Sequence, residues 1–329
     1  MRVTVLGSGS WGTTVAMLVA GRHPTVLWAR DAEHVAQMAA ARSNDRYLPG
    51  CTFPDGLEVT SDLAEAARHA DVLIVGVPTS AVRDTLELAK PDVAPWIPVV
   101  SLSKGFERGT QLRMTEVIKS VLPGRPAAAL TGPNIAKEIA SGSAAASVIA
   151  TPDLEVAEAL QEVLQSGLFR IYTNHDVVGC ELGGALKNVV AIASGMSQGL
   201  IVGDNTRAAV MTRGLAELTR LGVAMGADPA TFSGLAGMGD LIVTCMSPHS
   251  RNRHVGEQLG LGRSLDEILA DMNMVAEGVK TATIVHELSA DYDISMPISS
   301  SIHQVVAGEI TPAAAFSGLR RPGHEAQPG

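Results

Sequence analysis

The chain has 329 residues and a formal net charge of −9 at pH 7, and 46% of its residues are hydrophobic but only 3% aromatic. Single domains usually stop growing at roughly 250 to 300 residues, so this length predicts two domains, and the composition is that of a folded protein. The net negative charge argues against a general nucleic-acid-binding or anionic membrane-binding surface, and any phosphate site must be a local cationic pocket.

The cysteines and histidines give no metal-binding pattern. Cys51, Cys180 and Cys245 are far apart and form no C-x-x-C pair, which predicts a reducing, cytoplasmic location and no structural zinc. His249 and His254 are five residues apart without a cysteine or carboxylate at ligand spacing, so no metal site is expected. The apolar run over residues 13–20 follows a glycine-rich loop and is short for a membrane span, so membrane insertion is not predicted.

The first recognisable motif is a strand, a glycine-rich turn and an apolar helix. The segment from Gly7 to Gly12 reads G-x-G-x-x-G. It lies between a predicted strand rich in β-branched residues, at 2–6, and the predicted helix at 13–20. Gly7 permits the tight turn, Gly9 lets the backbone reach a pyrophosphate, and Gly12 lets helix and strand pack closely. The motif in this context predicts a dinucleotide-binding fold.

The end of the second predicted strand, residues 25–28, bears on cofactor choice. An acidic residue there holds the ribose 2′-hydroxyl of NAD, whereas an arginine there can hold the 2′-phosphate of NADP. Arg30 therefore favours NADP over NAD. Asp31 could be that acidic residue, but we interpret it as the N-cap of a helix over residues 32–41.

Two continuous apolar runs, residues 71–78 and 97–102, predict strands buried on both faces of a parallel sheet. Lys104 follows the second run, beyond the carboxyl end of a central strand, where doubly wound sheets bind ligands; a solvated loop lysine fits the sequence nearly as well. After a further strand at 127–130, Asn134 either caps a helix or contacts a ligand, and capping is favoured. Other strands are predicted at 57–60, 144–150 and 168–172, with a helix at 152–165.

From residue 176 onward the pattern is helical. Helices are predicted at residues 177–199, 205–225, 252–260, 264–272, 278–291 and 296–307. The predicted fold class is therefore α/β, with an N-terminal Rossmann-like doubly wound sheet followed by an all-helical C-terminal domain. We predict a dinucleotide-binding domain over residues 1–180, a helical substrate and catalytic domain over 181–320, and a disordered tail over 321–329.

The helix predicted at 177–199 carries one cation, Lys187, in a nearly apolar run. Counting along the helix in steps of three and four from Lys187 gives Gly183, Gly184, Val190, Ala191 and Ser194, which share its face. A buried ammonium needs an acidic partner, a lowered pKa or a polar cavity. From this helix alone, a stem packed on the helix with its ammonium in water is favoured.

Two later segments are candidates for a site. The run from Ser233 to Asp240 is too rich in glycine for an ordinary helix and ends in a single acid. Ser250 is a plausible N-cap, and Arg251 and Arg253 would then oppose the helix dipole in the first turn. A bound phosphate would compensate that repulsion, although both arginines could instead be solvated.

These motifs, together with those at 103–105, 132–138 and 182–188, resemble bacterial NAD(P)-dependent glycerol-3-phosphate dehydrogenases, in the same order over nearly the whole chain. The resemblance implies reversible reduction of dihydroxyacetone phosphate to sn-glycerol 3-phosphate, which supplies phospholipid synthesis. It also implies a homodimer. A hydroxyacid or ketopantoate-type dehydrogenase and a non-catalytic dinucleotide sensor are the alternatives.

The resemblance also implies site residues. It gives catalytic roles to Lys187, Lys104 and Asp240, with Lys187 as proton donor, so that the small residues around Lys187 would leave space for nicotinamide and ketone. Substrate contacts are implied at Lys104, Gly132, Asn134, Lys187, Asn188, Asp240, Ser250, Arg251 and Asn252. Beside the loop glycines Gly7, Gly9 and Gly12, dinucleotide contacts are implied at Ser10, Trp11, Arg30, Tyr47, Lys104, Ala136, Arg251, Val275 and Glu277. Asn134 departs from the family, which often has Ser or Thr there.

Overall fold

The computed structural model describes residues 1–272 and 276–317. The chain forms two compact units: the first contains Met1–Ala185 and Gly222–Asp240, and the second contains Leu186–Leu221 and the described residues from Leu241 onward. The predicted domain boundaries at residues 180 and 320 stay a prediction. Val275 and the predicted tail at 321–329 lie outside the described residues.

The first unit is built on one eight-stranded sheet. Its strands, together with those of a separate two-stranded hairpin, β3–β4, are β1 (Val3–Leu6), β2 (Thr25–Trp28), β3 (Ser43–Asn44), β4 (Leu48–Thr52), β5 (Leu57–Thr60), β6 (Val72–Val75), β7 (Val99–Ser101), β8 (Ala127–Thr131), β9 (Ala145–Ala150) and β10 (Phe169–Asn174). The strand order is β10-β9-β8-β7-β6-β1-β2-β5, and only the β8–β9 pair is antiparallel. This is the predicted doubly wound sheet. The Y-L-P-G sequence at residues 47–50 predicts a loop, because proline and glycine favour turns, but residues 48–50 lie in β4.

Helices cover both faces of the sheet. They are α1 (Ser10–Ala20), α2 (Ala32–Ala41), α3 (Leu63–His69), α4 (Val82–Ala89), α5 (Met114–Val121), α6 (Ala136–Ala140) and α7 (Leu154–Leu164). Along β6, Val72 and Ile74 belong to one buried apolar cluster and Leu73 and Val75 to another. The apolar runs read as doubly buried strands are therefore confirmed, because alternate side chains enter different cores.

The remaining helices carry the C-terminal half. They are α8 (Val177–Gly199), α9 (Asp204–Ala224), α10 (Pro229–Phe232), a π-helix (Leu235–Gly239), α11 (Asp240–Met246), α12 (Arg251–Gly260), α13 (Leu265–Ala270), α14 (Glu277–Asp291), α15 (Pro297–Val306) and α16 (Pro312–Ser317). The all-helical prediction for this half is confirmed. The glycine-rich run ending at Asp240 forms the π-helix, which fits the expectation that it would not be an ordinary helix.

In the second unit, α8 and α12 cross at four glycines, Gly195, Gly199, Gly256 and Gly260, which we call the glycine seam. A Cβ on Gly195 would lie 1.9 Å from the carbonyl oxygen of Arg253, and a Cβ on Gly256 would lie 1.9 Å from that of Ile192. Any larger residue would force the two backbones apart. The seam therefore sets how closely α12 approaches the C-terminal part of α8.

By length and composition, α8 is the one helix in the described part of the chain that could cross a membrane, and 89% of its most apolar window is buried inside the fold. Such burial is typical of a core helix. The apolar run that carries Lys187 is therefore accounted for by packing within the protein.

Candidate active site

The loop from Gly7 to Gly12 has the geometry predicted for each of its three glycines. Gly7 has φ +117°, and a Cβ there would lie 2.7 Å from the backbone of Gly76. A Cβ on Gly12 would lie 2.1 Å from the carbonyl oxygen of Gly7, whereas a Cβ on Gly9 would meet nothing within 4 Å. Gly9 also precedes α1 without a side-chain capping bond. The helix start is therefore approachable and suited to an anion.

The β3–β4 hairpin fastens this loop. Asn44 is fully buried, and its Nδ2 donates to the carbonyl oxygen of Ser8 at 2.7 Å and to Oγ1 of Thr13 at 2.8 Å. The Ser10 hydroxyl donates to the carbonyl oxygen of Tyr47 at 2.5 Å. Two predicted dinucleotide contacts, Ser10 and Tyr47, are thus brought together. Asn44 was missed, because a single asparagine outside any recognised motif does not show from sequence that it will be buried against the glycine loop.

Three further predicted dinucleotide contacts lie in this unit. Arg30 is exposed directly after β2. The Thr14 hydroxyl of α1 lies 3.3 Å from the carbonyl oxygen of Ala136, so the start of α6 is beside α1. The indole Nε1 of Trp11 is buried without a hydrogen-bond partner among the described residues. An unsatisfied buried donor and an accessible helix start both fit a dinucleotide with polar acceptor atoms.

The predicted N-cap role of Asp31 is confirmed. Its carboxylate accepts from the backbone N–H groups of Glu33 and His34 at the start of α2. Because one carboxylate oxygen is used as a cap, Asp31 is held at the helix start.

Lys104 is part of a buried polar cluster. Its Nζ donates to Oδ2 of Asp240 at 2.7 Å and to the carbonyl oxygen of Gly132 at 2.8 Å. The Lys104 side chain is 18% exposed and that of Asp240 only 1%. The alternative of a solvated loop lysine is therefore wrong. The structure brings together three predicted site residues that are distant in sequence.

Beside this cluster, Asn134 and Thr131 present unsatisfied groups. The capping interpretation of Asn134 is wrong, because Ile135 occupies the N-cap of α6. The Asn134 Oδ1 instead accepts from the Ser147 hydroxyl. The Asn134 Nδ2 and the Thr131 Oγ1 are buried without a hydrogen-bond partner in the described part of the chain. Such groups are costly unless a ligand or water satisfies them.

Lys187 is buried, with 5% of its surface exposed, and its Nζ donates to Oγ1 of Thr244 at 2.8 Å. The expectation of an ammonium reaching bulk water is therefore wrong. Thr244 was missed, since a threonine in an apolar segment is not recognisable as a lysine partner from sequence.

The small residues near Lys187 are closely packed. A Cβ on Gly183 would lie 2.5 Å from the carbonyl oxygen of Ala236, and one on Gly184 would lie 2.7 Å from Oγ1 of Thr131 and 3.4 Å from Cδ of Lys104. These two glycines therefore let protein segments approach α8. The hypothesis that they leave space for nicotinamide and ketone is wrong.

The side chains of Asn188 and Asn252 form a chain of amides in the second unit. The Asn252 Nδ2 donates to Oδ1 of Asn188 at 2.9 Å, and the Asn252 Oδ1 accepts from the N–H of Gly278 at 2.9 Å. These bonds join α8, α12 and α14. Both predicted substrate contacts are thus fixed in orientation by each other.

The two arginines at the start of α12 have different environments. Ser250 is the predicted N-cap, and its hydroxyl accepts from the N–H of Arg253. Arg253 is buried and donates to Gln198 at 2.6 Å and to the carbonyl oxygen of Ser247 at 2.9 Å, so it has a structural role.

Arg251, by contrast, is exposed. Desolvation by surrounding protein atoms lowers the pKa of its guanidinium below the usual value, while the negative charge of Glu277 opposes that shift. Arg251 is therefore the arginine of this pair that is accessible to an anion, and Glu277, a predicted dinucleotide contact, acts on it electrostatically. The remaining predicted contact here, Val275, is not among the described residues.

Within residues 1–272 and 276–317, no three His, Cys, Asp or Glu side chains are grouped as metal ligands. The candidate groups are instead ammonium, guanidinium, carboxylate, hydroxyl and amide groups. Such a set can stabilise an oxyanion, transfer a proton and bind a phosphate.

Comparison with known proteins gives matches over nearly the whole chain. Residues 2–157 match a family model described as the N-terminus of NAD-dependent glycerol-3-phosphate dehydrogenase, and residues 176–317 match its C-terminus. Similar proteins include a glycerol-3-phosphate dehydrogenase [NAD(P)+] of Sphingopyxis alaskensis, 56% identical over 331 residues covering 100% of this chain and 99% of that one. Another, from Mycobacterium avium, is 51% identical over 98% of this chain and 96% of its own length. Among solved structures, a glycerol-3-phosphate dehydrogenase of Coxiella burnetii is 34% identical with TM-score 0.93, covering 98% and 99% of the two chains.

Proposed function

The chain belongs to the NAD-dependent glycerol-3-phosphate dehydrogenase family, and from this premise we propose that it catalyses reversible hydride transfer between NAD(P)H and dihydroxyacetone phosphate. The product of the reduction is sn-glycerol 3-phosphate, a precursor of phospholipids. The observation that carries the proposal is that two lysine ammonium groups are fixed by hydrogen bonds, Lys104 to Asp240 and Lys187 to Thr244. The chain also matches this family over nearly its whole length.

Lys187 is proposed as the proton donor. The nicotinamide, when bound, supplies the hydride. Negative charge then develops on the ketone oxygen, and the ammonium of Lys187 stabilises that charge and delivers the proton. In the oxidation direction, neutral Lys187 accepts the proton of the hydroxyl group. The bond to Thr244 orients Nζ, because it fixes one of the three N–H directions of the ammonium.

Lys104 and Asp240 are proposed to position and polarise the substrate. The bonds from Lys104 to Asp240 and Gly132 use two of its three N–H donors, and we assign the third to a substrate oxygen. Asn134 is proposed to contribute its unsatisfied Nδ2 to the same ligand. Asn188, Asn252 and Ser250 remain proposed substrate contacts beside Lys187.

The phosphate is proposed to bind at the start of α12. Arg251 is exposed there, next to backbone N–H groups at a helix N-terminus. A guanidinium and free helix amides together form a common phosphate site. The dinucleotide is proposed to bind at Gly7, Gly9, Ser10, Trp11, Gly12, Arg30, Tyr47, Lys104, Ala136, Arg251, Val275 and Glu277.

Assembly and location are further proposals. We propose a homodimer without membrane insertion, in the cytoplasm, with no nucleic-acid partner. The three cysteines are free thiols, which fits a reducing compartment.

A spectrophotometric assay tests the function. The purified chain is given NADPH or NADH with dihydroxyacetone phosphate, unphosphorylated dihydroxyacetone or ketopantoate. We expect kcat/KM for the phosphorylated ketone to exceed that for dihydroxyacetone by about 100-fold or more, since charge-assisted hydrogen bonds to the phosphate are lost with the latter. Preference for ketopantoate would identify the alternative dehydrogenase. Dinucleotide binding without turnover of any of the three ketones would identify a sensor.

A further inference from the structure

Arg46 occupies a distinctive position in the β3–β4 hairpin. Its guanidinium lies 5.2 Å from the centre of the Tyr47 ring, and its Nη1 lies 3.6 Å from Oδ2 of Asp31. Asp31 directly follows Arg30 in the chain, at the end of β2. A second arginine is therefore brought to the point where the sequence predicted a single one.

The contact with Asp31 does not account for Arg46 as a stabilising ion pair. The two side chains are 59% and 56% exposed, and at 3.6 Å they are not hydrogen-bonded. Exposed pairs of this kind contribute little to stability. In the described part of the chain, no hydrogen bond of the Arg46 guanidinium is found, so its five donors remain available to a ligand.

The ring on which the Arg46 guanidinium lies is held in place by the fold. This Tyr47 ring makes an edge contact with the buried His34 ring at 5.6 Å between ring centres. The Tyr47 carbonyl is held by Ser10 of the glycine loop at 2.5 Å. Arg46 is therefore linked through one residue to the segment proposed to bind the pyrophosphate.

We propose that Arg46 is a specificity-determining residue that, together with Arg30, binds the 2′-phosphate on the adenosine ribose of NADP. This inference rests on the proposed function, which requires a dinucleotide at this loop. A phosphate monoester carries between one and two negative charges at neutral pH, and planar guanidinium groups bind it with paired hydrogen bonds. NAD has an uncharged 2′-hydroxyl at that position, which offers Arg46 no charge-assisted hydrogen bond.

Arg46 also removes an obstacle to NADP. The carboxylate of Asp31 would repel a 2′-phosphate, but one of its oxygens faces the positive charge of Arg46 and the other is used as a helix cap. Arg46 thus offsets the negative charge that would otherwise favour NAD at this strand end. Loss of Arg46 should therefore both remove a ligand and expose a repulsive charge.

The test compares two fragments that differ only in the 2′-phosphate, 2′,5′-ADP and 5′-AMP, by titration calorimetry. For Arg46→Ala we expect the affinity for 2′,5′-ADP to fall about 10-fold or more, which is the loss of one charge-assisted hydrogen bond, while that for 5′-AMP is unchanged. The kcat/KM ratio of NADPH to NADH should fall in parallel. Arg46→Lys should give an intermediate loss, because it keeps the charge but not the planar fork.

Arg68→Ala is the matched control, since Arg68 is also an exposed arginine of the first unit in an ion pair, with Asp92 at 2.8 Å. It should leave both fragment affinities unchanged. An equal loss for both fragments in Arg46→Ala, or equal affinity of the wild-type protein for both, would overturn the inference. If the wild-type protein prefers 2′,5′-ADP through Arg46 but reduces no dihydroxyacetone phosphate, the proposed function fails and the specificity role stands.

Discussion

The loop from Gly7 to Gly12 and the glycine seam use the same residue type with opposite results. In the loop, Gly9 leaves open space in front of a helix start. In the seam, the backbone of the facing helix occupies the space that a Cβ would need at each of the four glycines. Glycine therefore indicates close backbone approach in both, but the approaching partner is a proposed ligand in one region and the protein itself in the other. We expect the loop to control dinucleotide affinity, and the helical region to control chemistry and stability.

The largest expected effect comes from Lys187→Met, which removes the ammonium while keeping most of the buried volume. We expect kcat to fall by about 100- to 10,000-fold, the usual contribution of a general acid. Dinucleotide affinity, which we assign to the loop, should stay within about twofold because the anion-binding contacts there do not involve Lys187. Single-turnover kinetics and fluorescence titration give the two quantities. Near-normal kcat would remove Lys187 from the mechanism and break the assignment of chemistry to the helical region.

Gly256→Ala tests the seam. A Cβ there would lie 1.9 Å from the carbonyl oxygen of Ile192 and 2.9 Å from the backbone N of Met196, so two helices must move apart. We expect a loss of about 3 kcal/mol in the free energy of unfolding, at the upper end of overpacking effects and larger than the gain of about 1 kcal/mol in helix propensity. Denaturant unfolding measures it.

Gly9→Ala is the matched control for the seam, because its Cβ meets nothing within 4 Å. We expect the free energy of unfolding to change by less than about 1 kcal/mol, the scale of an N-cap substitution. The dinucleotide KM should rise instead. Equal destabilisation in the two variants would show that the space beside the glycine does not decide the cost of adding a Cβ.

Arg251→Ala tests the proposed phosphate site in the helical region. We expect the KM for dihydroxyacetone phosphate to rise about 10- to 100-fold, equivalent to the 1.5–3 kcal/mol of a charge-assisted hydrogen bond. The loss should weaken as salt concentration rises, since the interaction is screened. Arg253→Ala should instead lower stability, because Arg253 is buried and hydrogen-bonded to Gln198. An unchanged KM in Arg251→Ala would exclude Arg251 as the phosphate ligand.

The smallest effect is expected for Asp31→Ala, at the start of α2 in the first unit. Its carboxylate accepts from two backbone N–H groups of α2, so its loss should cost about 1 kcal/mol in the free energy of unfolding. Thermal unfolding measures this change. A much larger loss would mean that Asp31 does more than cap a helix, and that the loop region carries more of the stability than the comparison with the seam allows.

Predictions from sequence were correct for features that depend on residues close in the chain, and were wrong for features that depend on distant residues. The tight turn at Gly7, the close approach of Gly12 to Gly7, and the caps at Asp31 and Ser250 were correct, because each depends on residues close in the chain. Asn134 was misassigned as a cap, since its partner Ser147 lies on the next strand. The burial of Lys187 was also misjudged, because a helix alone does not show what packs against it.

The sequence by itself determined the eight strands of the main sheet, the glycine loop, and the separation into a sheet-containing half and a helical half. These depend on hydrophobic periodicity and on local backbone preferences. The catalytic candidates Lys104, Lys187 and Asp240 came from motifs that resemble a known family. Only the tertiary structure decided that Lys104 pairs with Asp240 across 136 residues and that Lys187 bonds to Thr244 across 57. It also decided which glycines face open space. The partners of a buried charge and the free volume beside a glycine depend on segments far apart in the chain, and packing alone brings those segments together.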